Sequence, residues 1–156
     1  MADYCRASLL DLLSIEQLEK DCFPTEAFNR RLIKNLLTNT KSVIIKATEP
    51  SGGIIGTIIG TTKRENCISV GRILSLCVLD EYRKKGIATR LVLHMEEEFS
   101  LRGIKKIRLE VSTRNNIARM FYEQQGYQMT PHILPNFYNN GTNAFVLNKR
   151  LPYLSK

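Results

Sequence analysis

The chain has no cysteine pair at metal or redox spacing: Cys5, Cys22, Cys67 and Cys77 are scattered, with no C-x-x-C among them. That sets aside a zinc site or disulfide framework and predicts four reduced packing cysteines, with Cys22 and Cys77 in apolar surroundings. The two histidines, His94 and His132, are expected as surface or packing residues. No run approaches the roughly 18 apolar residues of a membrane helix. The opening lacks the basic-then-apolar pattern of a secretory leader, so a cytoplasmic protein is expected. No Gly-Lys-Ser/Thr closes a Walker loop, and no three-glycine fingerprint marks a dinucleotide site. Internal repeats, low-complexity tracts and long linkers are missing too.

What is present is an ordinary globular composition, 43% hydrophobic and 24% charged over 156 residues. That length suits one domain, residues 1–156, with a core of its own. The unusual bulk property is a formal charge of +8. It suits an anionic partner such as a polyphosphate cofactor, nearby ribosomal RNA or acidic peptides, and equally a solvated basic surface. Basic residues cluster only at Arg83-Lys84-Lys85 and from Arg102 to Arg108. No Phe or Tyr interleaves with them as a base-stacking surface needs, so direct sequence-specific nucleic-acid binding is not expected.

Asp3 to Ala7 reads as a short strand. A helix follows from about Ser14, where Ser14 and Gln17 fit a capping box and Ile15, Leu18 and Cys22 form an apolar face. Phe23-Pro24-Thr25 breaks it, and a second helix is expected from Glu26 to Leu37, with Phe28, Leu32, Ile33 and Leu36 inward. Ser42–Ala47 and Ile54–Thr62 read as a hairpin around Pro50-Ser51-Gly52-Gly53. Ser69–Leu79 is a third strand, Gly86–Leu101 an amphipathic helix, and Lys106–Val111 a strand. Asn115–Gln125 is a helix closed by Gly126. Tyr127–Met129 and Ala144–Asn148 complete the order β-α-α-β-β-β-α-β-α-β-β. The fold class is therefore α/β: a mixed central sheet of about seven strands with helices on both faces. The Ser69 and Lys106 strands should be parallel across their helical crossover.

Two stretches carry chemistry. In Leu74–Leu91 an apolar strand runs through the basic turn Arg83-Lys84-Lys85 into a helix opening on Gly86. Backbone N–H groups at a helix start lack intrahelical partners, and the helix dipole favours an anion there. Gly86 removes the Cβ that would keep a phosphate at a distance. In Ile107–Tyr127 a strand ends, Asn115 opens a helix, and Tyr122 follows seven residues later. Positions i and i+7 share a helix face, so Asn115 and Tyr122 point towards the neighbouring parallel strand.

The segment Arg83-x-x-Gly86-x-Ala88 resembles the pyrophosphate motif of the GCN5-related N-acetyltransferases. Leu109, Glu110, Val111, Asn115, Ala118, Tyr122, Gly126 and Tyr127 resemble that family's L-E-V-x-x-x-N-x-x-A-x-x-x-Y-x-x-x-G-F/Y pattern. The resemblance covers nearly the whole chain and extends to the RimI-like and archaeal N-terminal (α-amine) acetyltransferases. Glu16-x-x-x-x-x-Cys22-Phe23-Pro24 looks like their first helix-loop, and Tyr138-Asn139-Asn140-Gly141-Thr142-Asn143-Ala144 like their tyrosine-bearing hairpin. Phe137 stands where a first Tyr is usual, Asn replaces two acids of that hairpin, and Ala88 replaces a commoner Gly. The hairpin departures bear on the peptide side, not on the cofactor site.

The resemblance implies acetyl-coenzyme A as co-substrate, without a metal, in a cleft where two parallel strands splay apart. Its pyrophosphate would meet N–H groups of Lys84, Lys85, Gly86, Ile87 and Ala88 beside Arg83. Its pantetheine would pair with the backbone of Leu76, Cys77 and Val78, the acetyl oxygen taking an N–H near Val78. Asn115 would contact the pantetheine arm and also cap its helix, and the Tyr122 hydroxyl would stand near the sulfur. Phe23, Glu26 and Tyr138 would line the acceptor pocket.

Physical chemistry sharpens the acceptor. An attacking amine must be neutral; an α-amine of pKa ~7.7–8.0 needs only ~1 kcal/mol to lose its proton at pH 7, a lysine at ~10.4 ~4.6 kcal/mol. A modest base suffices for the first, and Glu110, a carboxylate on an apolar strand, is the candidate, burial being expected to raise its pKa. Tyr122 is the candidate donor to the departing thiolate. Attack should be direct, since Cys77 has no histidine partner. The expected substrates are protein or peptide N-termini, including those of ribosomal proteins or nascent chains, with no membrane partner. Lysine side chains, polyamines or other small amines, a coenzyme A-binding module without turnover, and a nucleic-acid binder are the competing readings. Each residue also has a plainer role: Glu110 paired with Arg108 or Arg119, Tyr122 and Phe23 as core residues, Arg83 and Glu26 as solvated surface, Tyr138 as a loop aromatic.

Overall fold

A computed structural model describes residues 1–152. The chain folds into one mixed seven-stranded sheet with helices on both faces. The strands are β1 (Asp3–Arg6), β2 (Ser42–Thr48), β3 (Ile54–Glu65), β4 (Ile68–Val78), β5 (Lys106–Ser112), β6 (Gln128–Leu134) and β7 (Ala144–Arg150), in spatial order β1-β2-β3-β4-β5-β7-β6. The helices are α1 (Leu12–Cys22), α2 (Arg30–Thr38), α3 (Ile87–Leu101) and α4 (Asn116–Gln124). As the crossover helix requires, β4 and β5 are parallel, and all other pairs are antiparallel.

Each face has its own apolar layer. Ile15 of α1 and Ile33 and Leu36 of α2 pack with Ile44 and Ile59 on one side. On the other, Ile87, Leu91, Met95 and Phe99 of α3 line up at helical spacing and are all buried, as the sequence implies. Tyr122 of α4 and Tyr127 belong to that layer. Gly71 lets α3 come close: a Cβ there would lie 2.7 Å from the Phe99 ring.

The boundaries differ from expectation where local hydrogen bonds outbid pattern. Ser14 is not a cap. The capping box is Ser8 with Asp11, at a 3-10 turn over Leu9–Asp11 that precedes α1. The second helix starts at Arg30 rather than Glu26, because the Asn29 side chain accepts the Leu32 N–H at 2.8 Å. Residues 26 to 29 are therefore loop, Phe28 precedes the helix, and Leu32 is 40% exposed rather than inward. β3 runs on to Glu65, joined to β4 by Asn66-Cys67, both at positive φ as a tight hairpin turn demands. β6 extends to Leu134.

Candidate active site

The cleft begins where β4 and β5 part. They pair only at Gly71–Ile73 with Ile107–Leu109, after which β4 continues to Val78 without a β5 partner. The Leu79 N–H bonds the Ile55 carbonyl of β3 at 2.9 Å. Alternation along an antiparallel ladder then turns the N–H and C=O groups of Leu76 and Val78 away from β3, into the gap, and ties Cys77 into the β3 ladder. The Val78 carbonyl accepts from Arg83 Nε at 3.2 Å and from the Cys22 thiol at 3.7 Å. Arg83 folds back in this way and also pairs with Asp80 at 3.2 Å.

At the mouth of the cleft, α3 starts without a side-chain cap. Lys84 and Gly86 both adopt positive φ, 62° and 80°, which turns the chain sharply beneath the helix start. A Cβ on Gly86 would meet no atom within 4 Å. Uncapped N–H groups, open space over a glycine and the charges of Lys84 and Lys85 fit a pyrophosphate. Opposite, Asn115 caps α4 by accepting the Ala118 N–H at 3.0 Å.

Tyr122 lies buried against Phe121 and Tyr127 in edge-to-face contacts, centroids 5.2 and 5.6 Å away. Burial pushes its hydroxyl well above the ordinary tyrosine value, and Cys77 and Tyr138 add to the effect. The hydroxyl therefore stays protonated and serves as a donor, although handing its proton over is harder than for a free tyrosine.

Glu110 projects from β5 on the face shared with α1. Its side chain is 8% exposed and held by Arg72 at 2.7 Å and by Arg108 at 3.6 Å. The sequence anticipated the partner Arg108 but not Arg72, and Arg119 pairs elsewhere, with Glu123 at 2.7 Å. Arg108 also bonds Glu65 at 2.9 Å, so Glu110 lies within a chain of alternating charges, Glu65–Arg108–Glu110–Arg72, rather than in an apolar slot. Tyr138 reaches the same place from the β6–β7 hairpin: burial pushes it up to about 12, helped by Glu110 and Glu26, with the backbone of Ser112 acting the other way. Glu26 accepts the Asn139 N–H at 3.1 Å, bridging the α1–α2 loop to that hairpin. Phe23, half-buried, closes α1 beside them.

The thiols correct one expectation. Cys77 is buried but not in apolar surroundings: it donates to Glu19 at 3.2 Å beside Ser75. The two thiols act on each other: the neighbouring Cys77 holds Cys22 below its ordinary value, and Cys22 pushes Cys77 up, burial and Glu19 raising Cys77 further. Cys5 and Cys67 are exposed and pack nothing. His94 stacks on Tyr4 at 5.0 Å and His132 is exposed. Sequence reasoning missed Glu19, Arg72 and Ser75. The signals were there, since Glu19 lies one helical turn from Ile15 on the buried stripe of α1 and Arg72 interrupts an apolar strand. Among the described residues no cluster of His, Cys, Asp or Glu could hold a metal ion, and no helix is long and apolar enough to cross a membrane.

A splayed parallel strand pair, free main chain on one strand and an uncapped helix start at its mouth make a site for a long phosphate-bearing thioester. The chain belongs to the acetyltransferase (GNAT) family, whose profile matches residues 9–127. It is 32% identical over 143 residues to an uncharacterized N-acetyltransferase of Methanocaldococcus jannaschii, covering 91% of this chain and 87% of that one. It is 26% identical over 151 residues to the catalytic subunit NAA10 of the N-terminal acetyltransferase A complex of Arabidopsis thaliana, covering 94% and 76%. Its fold superposes on Arabidopsis thaliana NAA60 in complex with acetyl-CoA with a TM-score of 0.85 at 21% identity, over 97% and 99% of the two chains. The protein is an N-acetyltransferase that uses acetyl-CoA as co-substrate.

Proposed function

We propose that the acceptor is the free α-amine of a protein or peptide N-terminus, ribosomal proteins and nascent chains included. The observation that carries this reading is the Glu26–Asn139 bridge at 3.1 Å. It spans the acceptor side of the cleft from the α1–α2 loop to the β6–β7 hairpin, with Tyr138 and Glu110 beneath, so an extended chain end has easier entry than a loop. The relationship to NAA10, the catalytic subunit of an N-terminal acetyltransferase complex, supports this reading.

Acetyl-CoA supplies an activated acyl carbon. Lys84 to Ala88 would hold the pyrophosphate by their N–H groups, and the main chain of Leu76 and Val78 would align the pantetheine, with Asn115 alongside. The Val78 N–H would stabilise the oxygen that gains charge during attack. Glu110 takes the proton of the incoming ammonium, directly or through a water, and Tyr122 donates a hydrogen bond to the departing sulfur. Cys77, its thiol pushed up, stays protonated and is no nucleophile, which favours direct attack by the amine. Phe23, Glu26 and Tyr138 line the acceptor channel.

The test is release of free thiol from acetyl-CoA with short peptides differing in residue one, beside spermidine and an N-blocked lysine peptide. Release that requires a free α-amine supports the reading. Comparable or exclusive turnover of the blocked peptide or spermidine overturns it.

A further inference from the structure

The reaction as described leaves the most deeply buried carboxylate among the described residues idle. Glu19 of α1 is 1% exposed. A carboxylate on the buried stripe of a helix is costly unless donors surround it, and Glu19 has three. Its Oε1 accepts the Phe28 N–H at 3.1 Å, while its Oε2 accepts the Ser75 hydroxyl at 2.5 Å and the Cys77 thiol at 3.2 Å. None of these donors is a cation. An apolar side chain would fill the space at lower desolvation cost, so what the carboxylate supplies is direction.

Its donors come from two functional elements. Phe28 belongs to the acceptor-side loop that carries Phe23 and Glu26. Ser75 and Cys77 lie on the outer end of β4, and the residues between and after them, Leu76 and Val78, turn their main chain into the cofactor cleft. The loop is thus pinned twice, outward to the hairpin by Glu26 and inward to the cofactor strand by Glu19.

We propose that Glu19 is a positioning residue that couples the cofactor strand to the acceptor loop, so that acetyl-CoA seated along Leu76–Val78 also sets the depth of the loop from Phe23 to Phe28. Two discrete hydrogen-bonded links in series carry the coupling. It rests on acetyl-CoA use and not on which amine is acetylated.

The Phe28 amide is itself the reporter. Amide exchange of wild type, Glu19→Ala, Glu19→Gln and Ser75→Ala is followed with and without acetyl-CoA, and KM is measured for acetyl-CoA and for whichever of the peptides or spermidine the wild type acetylates. Glutamine can still accept the Phe28 N–H and donate to the Ser75 oxygen, so it should keep the link. The expected result is that acetyl-CoA slows exchange at residues 84–88 in all four proteins, but at Phe28 fully in wild type and Glu19→Gln, less in Ser75→Ala, where the Cys77 thiol still joins Glu19 to β4, and not in Glu19→Ala. Acceptor KM should rise about tenfold in Glu19→Ala, the effect of one lost buried hydrogen bond, with acetyl-CoA KM changed less than about threefold. Unchanged cofactor-dependent protection of Phe28 in Glu19→Ala, or Gln no better than Ala, overturns the proposal. So does loss of protection at 84–88 together with Phe28, which marks a general structural defect. Should Glu19→Ala fail to fold, Ser75→Ala, which removes only a strand-side donor, decides through the same Phe28 readout. A wild type that acetylates spermidine alone refutes the α-amine reading and leaves this test intact.

Discussion

Arg72 and Glu110 face each other where β4 and β5 part, guanidinium to carboxylate at 2.7 Å. Arg72 stands opposite Arg108 in the register and Glu110 lies one residue past the last shared pair, Ile73 with Leu109, so the side chain expected to take the acceptor's proton is held by the strand proposed to lie along the cofactor. Removing Arg72 leaves a nearly buried carboxylate with only the longer contact to Arg108. Arg72→Leu should lower stability by about 1–3 kcal/mol, read by urea denaturation. Glu110→Gln, which keeps the shape, should lower kcat by about a hundredfold while acetyl-CoA binding by calorimetry stays within about twofold.

Tyr122→Phe removes one hydroxyl from a buried ring and leaves the edge-to-face contacts with Phe121 and Tyr127 in place. Burial holds that hydroxyl protonated, and its proposed contribution is donation to the departing sulfur. The expected outcome is a kcat lowered about tenfold or more with an unchanged melting temperature. An unaltered kcat would remove Tyr122 from the reaction.

Gly86→Ala separates cofactor binding from folding. Space is available for the methyl group, but the backbone sits at φ 80°. The substitution should cost about 1–2 kcal/mol of stability. Acetyl-CoA KM should also rise about tenfold, because the new Cβ would stand where the pyrophosphate is proposed to bind. Steady-state kinetics with saturating acceptor checks this, kcat staying within a few-fold.

Tyr138 gives a prediction about alkaline pH. Its hydroxyl is pushed up from the ordinary 10 to about 12 in the folded chain. A raised folded value means that the folded state keeps its proton where the unfolded state has lost it. The stabilising contribution is therefore full below about pH 10 and lost as pH rises towards 12. Tyr138→Phe should flatten part of the fall in stability between about pH 10 and 12, other contributions coming from Tyr4, Tyr82, Tyr122 and Tyr127, which are also raised. Tyr138 is partly solvated, so screening reduces the difference. Urea midpoints of both proteins at about pH 9, 10 and 11 measure it.

The order of elements, the parallel β4–β5 pair and the buried face of α3 were legible in the sequence because each rests on a local signal: turn residues, a helical crossover, or Ile87, Leu91, Met95 and Phe99 at helical spacing. The uncapped helix start at Gly86 was legible for the same reason, since the basic turn and the helix it opens are contiguous in the chain. The caps were less so. Ser14 and Ser8 both head plausible boxes, and Glu26 and Asn29 both precede an apolar run; tertiary packing chose Ser8 and Asn29.

What the sequence by itself determined is thus the family and the sheet. The tertiary structure alone decided the acceptor side. Arg72 meets Glu110 across 38 residues, Glu19 meets Ser75 across 56, and Glu26 meets Asn139 across 113. No periodicity encodes such contacts. A charged side chain buried by folding takes whatever donors and cations the sheet brings to it, and their identity depends on strand order and register rather than on neighbours along the chain.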